Sequence, residues 1–190
     1  IDLFMEDTQF SIAQGAQTVN TLQGSGNVAL NGSDFTISSA STFSGDILGA
    51  NKLNIQDAFA FSGDLTGAEF NLTSAQMAIG DTSTAAFERV NLVDSLLDVN
   101  GPAAAGDTAR LIASESLTIS GCSRLHTNGT PVADQAVIQT GQLTVSGSCA
   151  SFTGTGYIDT PNATFNNGAT LSPGQSPGVL VFAGDLVLDS

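Results

Sequence analysis

The segment Phe43-Ser44-Gly45-Asp46-Ile47-Leu48-Gly49-Ala50 recurs eighteen residues later as Phe61-Ser62-Gly63-Asp64-Leu65-Thr66-Gly67-Ala68. Upstream, Phe35, Ile37 and Ala40 fall on Leu53, Ile55 and Ala58 at the same offset. A fixed short period marks a chain wound into stacked coils, in which each coil buries its apolar face only against its neighbours. Eighteen residues are too few for a pair of helices and suit three short strands separated by bends. The expected fold is all-β: a single parallel β-helix (β-solenoid) with coils of about 18–27 residues.

The rest of the patterning agrees. Apolar residues come in short alternating runs such as Phe35-Thr36-Ile37, broken by Gly, Ser, Thr, Asn and Asp. Helical spacing occurs over Ala85 to Leu97 (Phe87, Val90, Val93, Leu97), but Val90-Asn91-Leu92 fits a strand as well. At about 4.8 Å per coil, roughly eight to ten coils make a rod on the order of 40–50 Å long. Asn54, Asn71 and Asn91 lie between apolar residues at equivalent strand positions, where they predict a side-chain amide ladder. Asn-Gly pairs at Asn31, Asn100, Asn128 and Asn167 predict sharp corners.

Residues 1–33 are the least regular and are expected to form an N-terminal cap or a donated strand, with the solenoid over 34–190. The apolar stretch Ile1, Leu3, Phe4, Met5 and Phe10 is the candidate assembly strand, because an uncapped solenoid exposes unpaired edges. From Phe87 onward the coils lengthen. Leu97-Asp98-Val99-Asn100-Gly101 leads to Leu117-Thr118-Ile119-Ser120-Gly121 after twenty residues, then to Leu143-Thr144-Val145-Ser146-Gly147 after twenty-six more. Read as successive coils, these put protruding corner loops at 101–107 and 124–135.

Four Lys and Arg against eighteen Asp and Glu give a net charge of −14, which argues against nucleic acid and anionic membrane surfaces as partners. No apolar run is long enough to span a membrane, and the chain opens at Ile1 without a basic leader, as if any signal peptide were already removed. Cys122 and Cys149 are twenty-seven residues apart and follow matching strands twenty-six apart. Stacked positions in neighbouring coils come within disulfide reach, which predicts a Cys122–Cys149 bridge and an oxidising compartment. Two buried thiols in a stacked core are the alternative.

Near the C-terminus, Pro173-Gly174-Gln175-Ser176-Pro177-Gly178 precedes Val179-Leu180-Val181-Phe182 and, past Gly184-Asp185, Leu186-Val187-Leu188. This stretch resembles the Pro-Gly-x-Ser-Pro-Gly segment found late in the passenger domains of bacterial autotransporters and related secreted β-helical proteins of Gram-negative bacteria. The resemblance covers about twenty residues. It implies a right-handed parallel β-helix, exported and displayed on or released from the cell surface. In such proteins further strands and a membrane barrel or sorting tail usually follow. Here the chain stops at Ser190, so a processed or incomplete piece is expected and the anchor is unaccounted for. Independently of it, two Pro-Gly pairs make rigid turns, and Val179 to Phe182 reads as a buried strand.

Chemistry is sparse. Asp46 and Asp64, with Asp81 as a third, are expected to stack at one corner, either as solvated turn carboxylates or bridged by Ca²⁺. No other cofactor is expected and no catalytic residue is assigned. The one basic cluster is Arg124 and His126 beside Cys122, with Asp134 the nearest carboxylate in sequence; a surface-loop histidine is the plainer reading. The expected function is an extracellular structural or adhesive solenoid. Its expected partners are copies of itself, joined head to tail, and surface glycans or other cells, with no direct membrane insertion. A polysaccharide lyase or hydrolase with carboxylates beside Arg110 or Arg124, or a glycan-binding module, is the alternative.

Overall fold

The structure, a computed structural model, describes residues 1–80, 82–100, 109–129, 136–174 and 178–189. The described residues are all-β and wind into a β-solenoid of about eight turns. The tight coils contain β1 (Leu3–Ser11), β2 (Gln17–Val19), β3 (Leu22–Ala29), β4 (Asp34–Ile37), β5 (Ser41–Ile55), β6 (Phe59–Ser62), β7 (Leu65–Thr73) and β8 (Gln76–Ile79). The wider ones contain β9 (Thr84–Val93), β10 (Leu96–Asn100), β11 (Arg110–Ser120), β12 (Arg124–Asn128), β13 (Ala136–Thr140) and β14 (Leu143–Ser146). The last turns hold β15 (Ser151–Asp159), β16 (Asn162–Asn166), β17 (Thr170–Pro173), β18 (Leu180–Phe182) and β19 (Asp185–Leu188). Every pairing is parallel and belongs to one continuous sheet.

Three ladders run the length of the rod, and each stacks apolar side chains at the same inward position. One column is Phe59, Met77, Leu97, Leu125 and Phe152. A second is Val28, Ile47, Leu65, Ala85, Leu111, Ile138 and Ile158. The third is Phe35, Leu53, Phe70, Val90, Leu117, Leu143 and Ala163. All of these are buried in one cluster. Each full-sized side chain contributes roughly 1.5–3 kcal/mol by leaving water. Phe70 also stacks on Phe87 at 5.0 Å between ring centroids.

The founding repeat is the pitch of this rod. Phe43 pairs with Phe61, Phe35 with Leu53 and Ile37 with Ile55. Between the first two ladders the chain turns at Gly26, Gly45 and Gly63, which lie one above another with φ of 129°, 140° and 140°. Asn31-Gly32 and Asn167-Gly168 form left-handed corners as expected, but Asn128 lies within β12 and makes no such turn. Ala85 to Leu97 is two strands, β9 and β10, joined by a corner at Asp94-Ser95, and not a helix.

Two register expectations are corrected. Leu97 pairs with Leu125, whereas Leu117 pairs with Val90, so the twenty-residue offset compared strands from different faces. Both are short Leu-x-hydrophobic runs followed in sequence by a polar residue and glycine, and the longer coil hides the true steps. Residues 124–128 are consequently a face strand, not part of a protruding loop. The positions 101–107 fall outside the described residues, as do 130–135. At the N-terminus no boundary falls near residue 33. Leu3 pairs with Leu22 and Phe10 with Val28, making residues 3–29 part of the same ladder.

The amide ladder is present. Asn54 Nδ2 donates to Thr36 Oγ1 at 3.2 Å, Asn71 Nδ2 to Asn54 Oδ1 at 3.0 Å, and Asn91 Nδ2 to Asn71 Oδ1 at 2.9 Å. Replacing Asn71 with alanine unpairs both neighbours, which are half-buried, and is expected to cost about 1–3 kcal/mol. The urea midpoint should fall at unchanged slope; an unmoved midpoint would mean that the ladder adds nothing to stability.

Candidate functional site

The Asp-turn corner is built from backbone. Asp46 Oδ1 accepts the Asp64 N–H at 2.9 Å, and Asp64 Oδ1 accepts the Thr84 N–H at 2.8 Å. Each carboxylate thus caps the amide of the following coil, not its own backbone as a solvated turn aspartate does. Asp81 lies outside the described residues, and among those described no three acidic, histidine or cysteine side chains gather as metal ligands.

A charge ladder that sequence reasoning missed runs along the third face. Register aligns Asp34, Lys52, Glu69 and Arg89 in successive coils. Lys52 Nζ and Arg89 Nε lie 3.7 and 3.9 Å from Glu69 Oε2, and Arg89 Nη1 reaches Glu115 Oε2 at 2.8 Å. That bond to Glu115 raises the Arg89 pKa. At the first coil, hydrogen bonds from Asn20 and then Thr21 hold Asp2 below its ordinary value. The cross-coil partners are seventeen to twenty-six residues apart in coils of unequal length, so no fixed offset reveals them.

Cys122 and Cys149 form the expected disulfide, with Cα atoms 4.5 Å apart. Both sit exposed at the corner leading into β12 and β15, not in the core. Asp94 Oδ1 accepts the Cys122 N–H at 2.9 Å. Buried hydroxyls support the same corner: Ser95 Oγ accepts the Ala75 N–H at 3.0 Å and Ser123 Oγ the Ser95 N–H at 3.1 Å. In sequence these serines look like any solvated turn residue. A groove of about 530 Å³ follows the corner, lined by Asp57, Gln76, Asp94, Cys122 and Arg124. Asp57 is engaged there by the Ala58 N–H at 2.7 Å, as Asp94 is by Cys122.

Beside it, Arg124 and His126 point outward from one strand. Asp98 stacks on His126 from the preceding coil, and Thr153 and Ser172 stack on it from the following two. His126 Nδ1 and Thr153 Oγ1 share a hydrogen bond of 2.9 Å. A groove of about 420 Å³ is lined by Arg124, His126, Thr153, Ser172 and the Pro173-Gly174 backbone. Arg110 begins β11 on a different face and does not join this cluster. Asp134, expected as a partner of His126, lies outside the described residues.

The first and last described coils pair on one edge only. Of the candidate assembly residues, Ile1 is 94 % exposed and Phe4 65 %, Leu3 and Phe10 are partly buried, and Met5 at 3 % is fixed in the chain's own core. At the other end, β18 is only half-buried, not buried as expected; among the described residues it pairs with β15 on one edge and with no strand beyond it. Leu188 there is 66 % exposed, with Val179, Leu186 and Val187 also exposed.

The fold and these ladders define a parallel β-solenoid held by side-chain stacks and one disulfide. The chain matches no protein-family model, no curated protein and no solved structure. The disulfide fits a non-reducing, extracellular-type environment, and among the described residues no helix is long and apolar enough to cross a membrane.

Proposed function

We propose that the chain is a structural rod of a Gram-negative cell surface: an autotransporter-passenger-like solenoid that serves as an adhesive or fibre subunit by adding copies of itself at its ends. The supporting observation is the pair of terminal coils. Among the described residues, each pairs on one edge only, and apolar side chains at inward positions there have no described residue stacked on their outer side. Such edges template strand addition. Joining one end to the other is a heterologous contact, which does not close and so makes filaments. The N-terminal strand contributes by its free edge and not by swinging out, since leaving would strip Met5 from the core.

Sedimentation velocity over a concentration series tests this. The chain is expected to grow into larger species as concentration rises, while Leu188→Lys and Leu186→Lys, both at inward but exposed positions of the last coil, remain single rods of native circular dichroism. A parent chain that stays monomeric throughout, or variants that assemble equally well, would overturn the proposal.

A further inference from the structure

The groove at Arg124 and His126 lies on the side of the rod and stands independently of assembly at the ends. We infer that it binds the carboxylate of an acidic sugar, with Arg124 as the anion partner and His126, Thr153 and Ser172 as contacts for the sugar hydroxyls. Charge decides where an anion can sit. The chain carries −14, and its cationic inventory is four Lys and Arg plus one His. Lys52 and Arg89 are committed to the ladder with Glu69, Glu88 and Glu115. Arg124 and His126 are the two members of that inventory that share one outward strand face, and both line the same groove.

The neighbours decide what kind of anion fits. On the corner side of Arg124 the carboxylates of Asp57 and Asp94 line the adjoining groove, and Asp98 stacks on His126 from the preceding coil, so an anion is admitted only toward the following coils, over Thr153 and Ser172. A single guanidinium in a field this negative suits one carboxylate, presented by one sugar ring, better than a phosphate dianion. From there the surface continues as hydroxyls. Thr153 and Ser172 follow His126 in register, at about 4.8 Å per coil, while Arg124 and His126 are about 7 Å apart along the strand. The patch is thus about 7 by 10 Å, charged at one corner and lined with donors and acceptors over the rest. That is the pattern of a uronate residue: a carboxylate on a ring of hydroxyls.

His126 is the single histidine of the chain, so its ring protons give a one-residue signal by NMR. The full chain with its disulfide intact is titrated with tetragalacturonate, with maltotetraose as the neutral analogue and with sodium acetate at matched ionic strength. Saturable movement of the His126 signals by tetragalacturonate alone is expected, with binding weakened about tenfold or more in Arg124→Gln. Arg124 is exposed, so this variant should keep its fold, which circular dichroism checks. Equal binding of maltotetraose would overturn the carboxylate assignment. The same movement with acetate would overturn the sugar assignment, and no movement, or unweakened binding by Arg124→Gln, would overturn the site.

Discussion

Replacing Gly63 with alanine is expected to destabilise the protein by about 3 kcal/mol or more, the sum of two costs that cannot be relaxed separately. The first is backbone. At φ of 140° an L-residue leaves its allowed region, a penalty of about 1–3 kcal/mol. The second is steric. A methyl group at position 63 would fall on the carbonyl oxygen of Gly45, itself stacked on Gly26, and a backbone atom in a ladder has no other rotamer to adopt. The damage should also reach the adjacent cap from Asp46 to the Asp64 amide. Gly80 is the control: it is not among the positive-φ glycines, and among the described residues nothing lies within 4 Å of an added Cβ. Thermal unfolding should show a large loss for Gly63→Ala and little change for Gly80→Ala. Equal transition temperatures would contradict the glycine column.

Removing the disulfide, by reduction or by the double variant Cys122→Ser with Cys149→Ser, is expected to cost about 3–4 kcal/mol, the loop-closure value for a separation of 27 residues. The bond pins one of the widest coils, where the chain travels 27 residues between Leu125 and Phe152 for a single rung. Because a solenoid is held by nearest neighbours, the loss should be local. Amide exchange is expected to quicken across β12 and β15 while Leu53 and Phe70, in tight coils, keep their protection. Unchanged exchange at both places on reduction would show that stacking alone holds the wide coils.

The same contrast explains what could be read from the residues. In the tight coils the offset is eighteen residues, slipping to seventeen at one coil, so Phe43 with Phe61 and Asp46 with Asp64 can be matched by counting, and Asn54 with Asn71 by allowing a slip of one. Past Phe87 the steps become 27, 26 and 20 residues, as in Leu92, Ile119, Val145 and Phe165. Counting fails there, because the pattern within a rung says which face of the strand is inward but not which of three ladders it joins. The runs at Leu97 and Leu117 look equivalent in sequence for that reason, though they belong to different ladders. The cysteines were legible because both follow near-identical runs, Leu-Thr-Ile-Ser-Gly and Leu-Thr-Val-Ser-Gly, whose register survives the insertion. The charge ladder, the buried corner serines and the Arg124 groove were not, since each is made of residues that touch only across coils of unequal length. For the same reason the stretch around His126 resembles a loop in sequence, although its strand pairs on both edges.

The central claim is that parallel, in-register coils continue from one copy into the next. Electron cryomicroscopy of the purified chain, concentrated with its disulfide intact, tests it most directly. Unbranched filaments are expected in which the rise of about 4.8 Å per coil runs unbroken through each subunit junction. Isolated rods about 40 Å long at every concentration, or filaments joined side to side with the terminal coils uncovered, would contradict it.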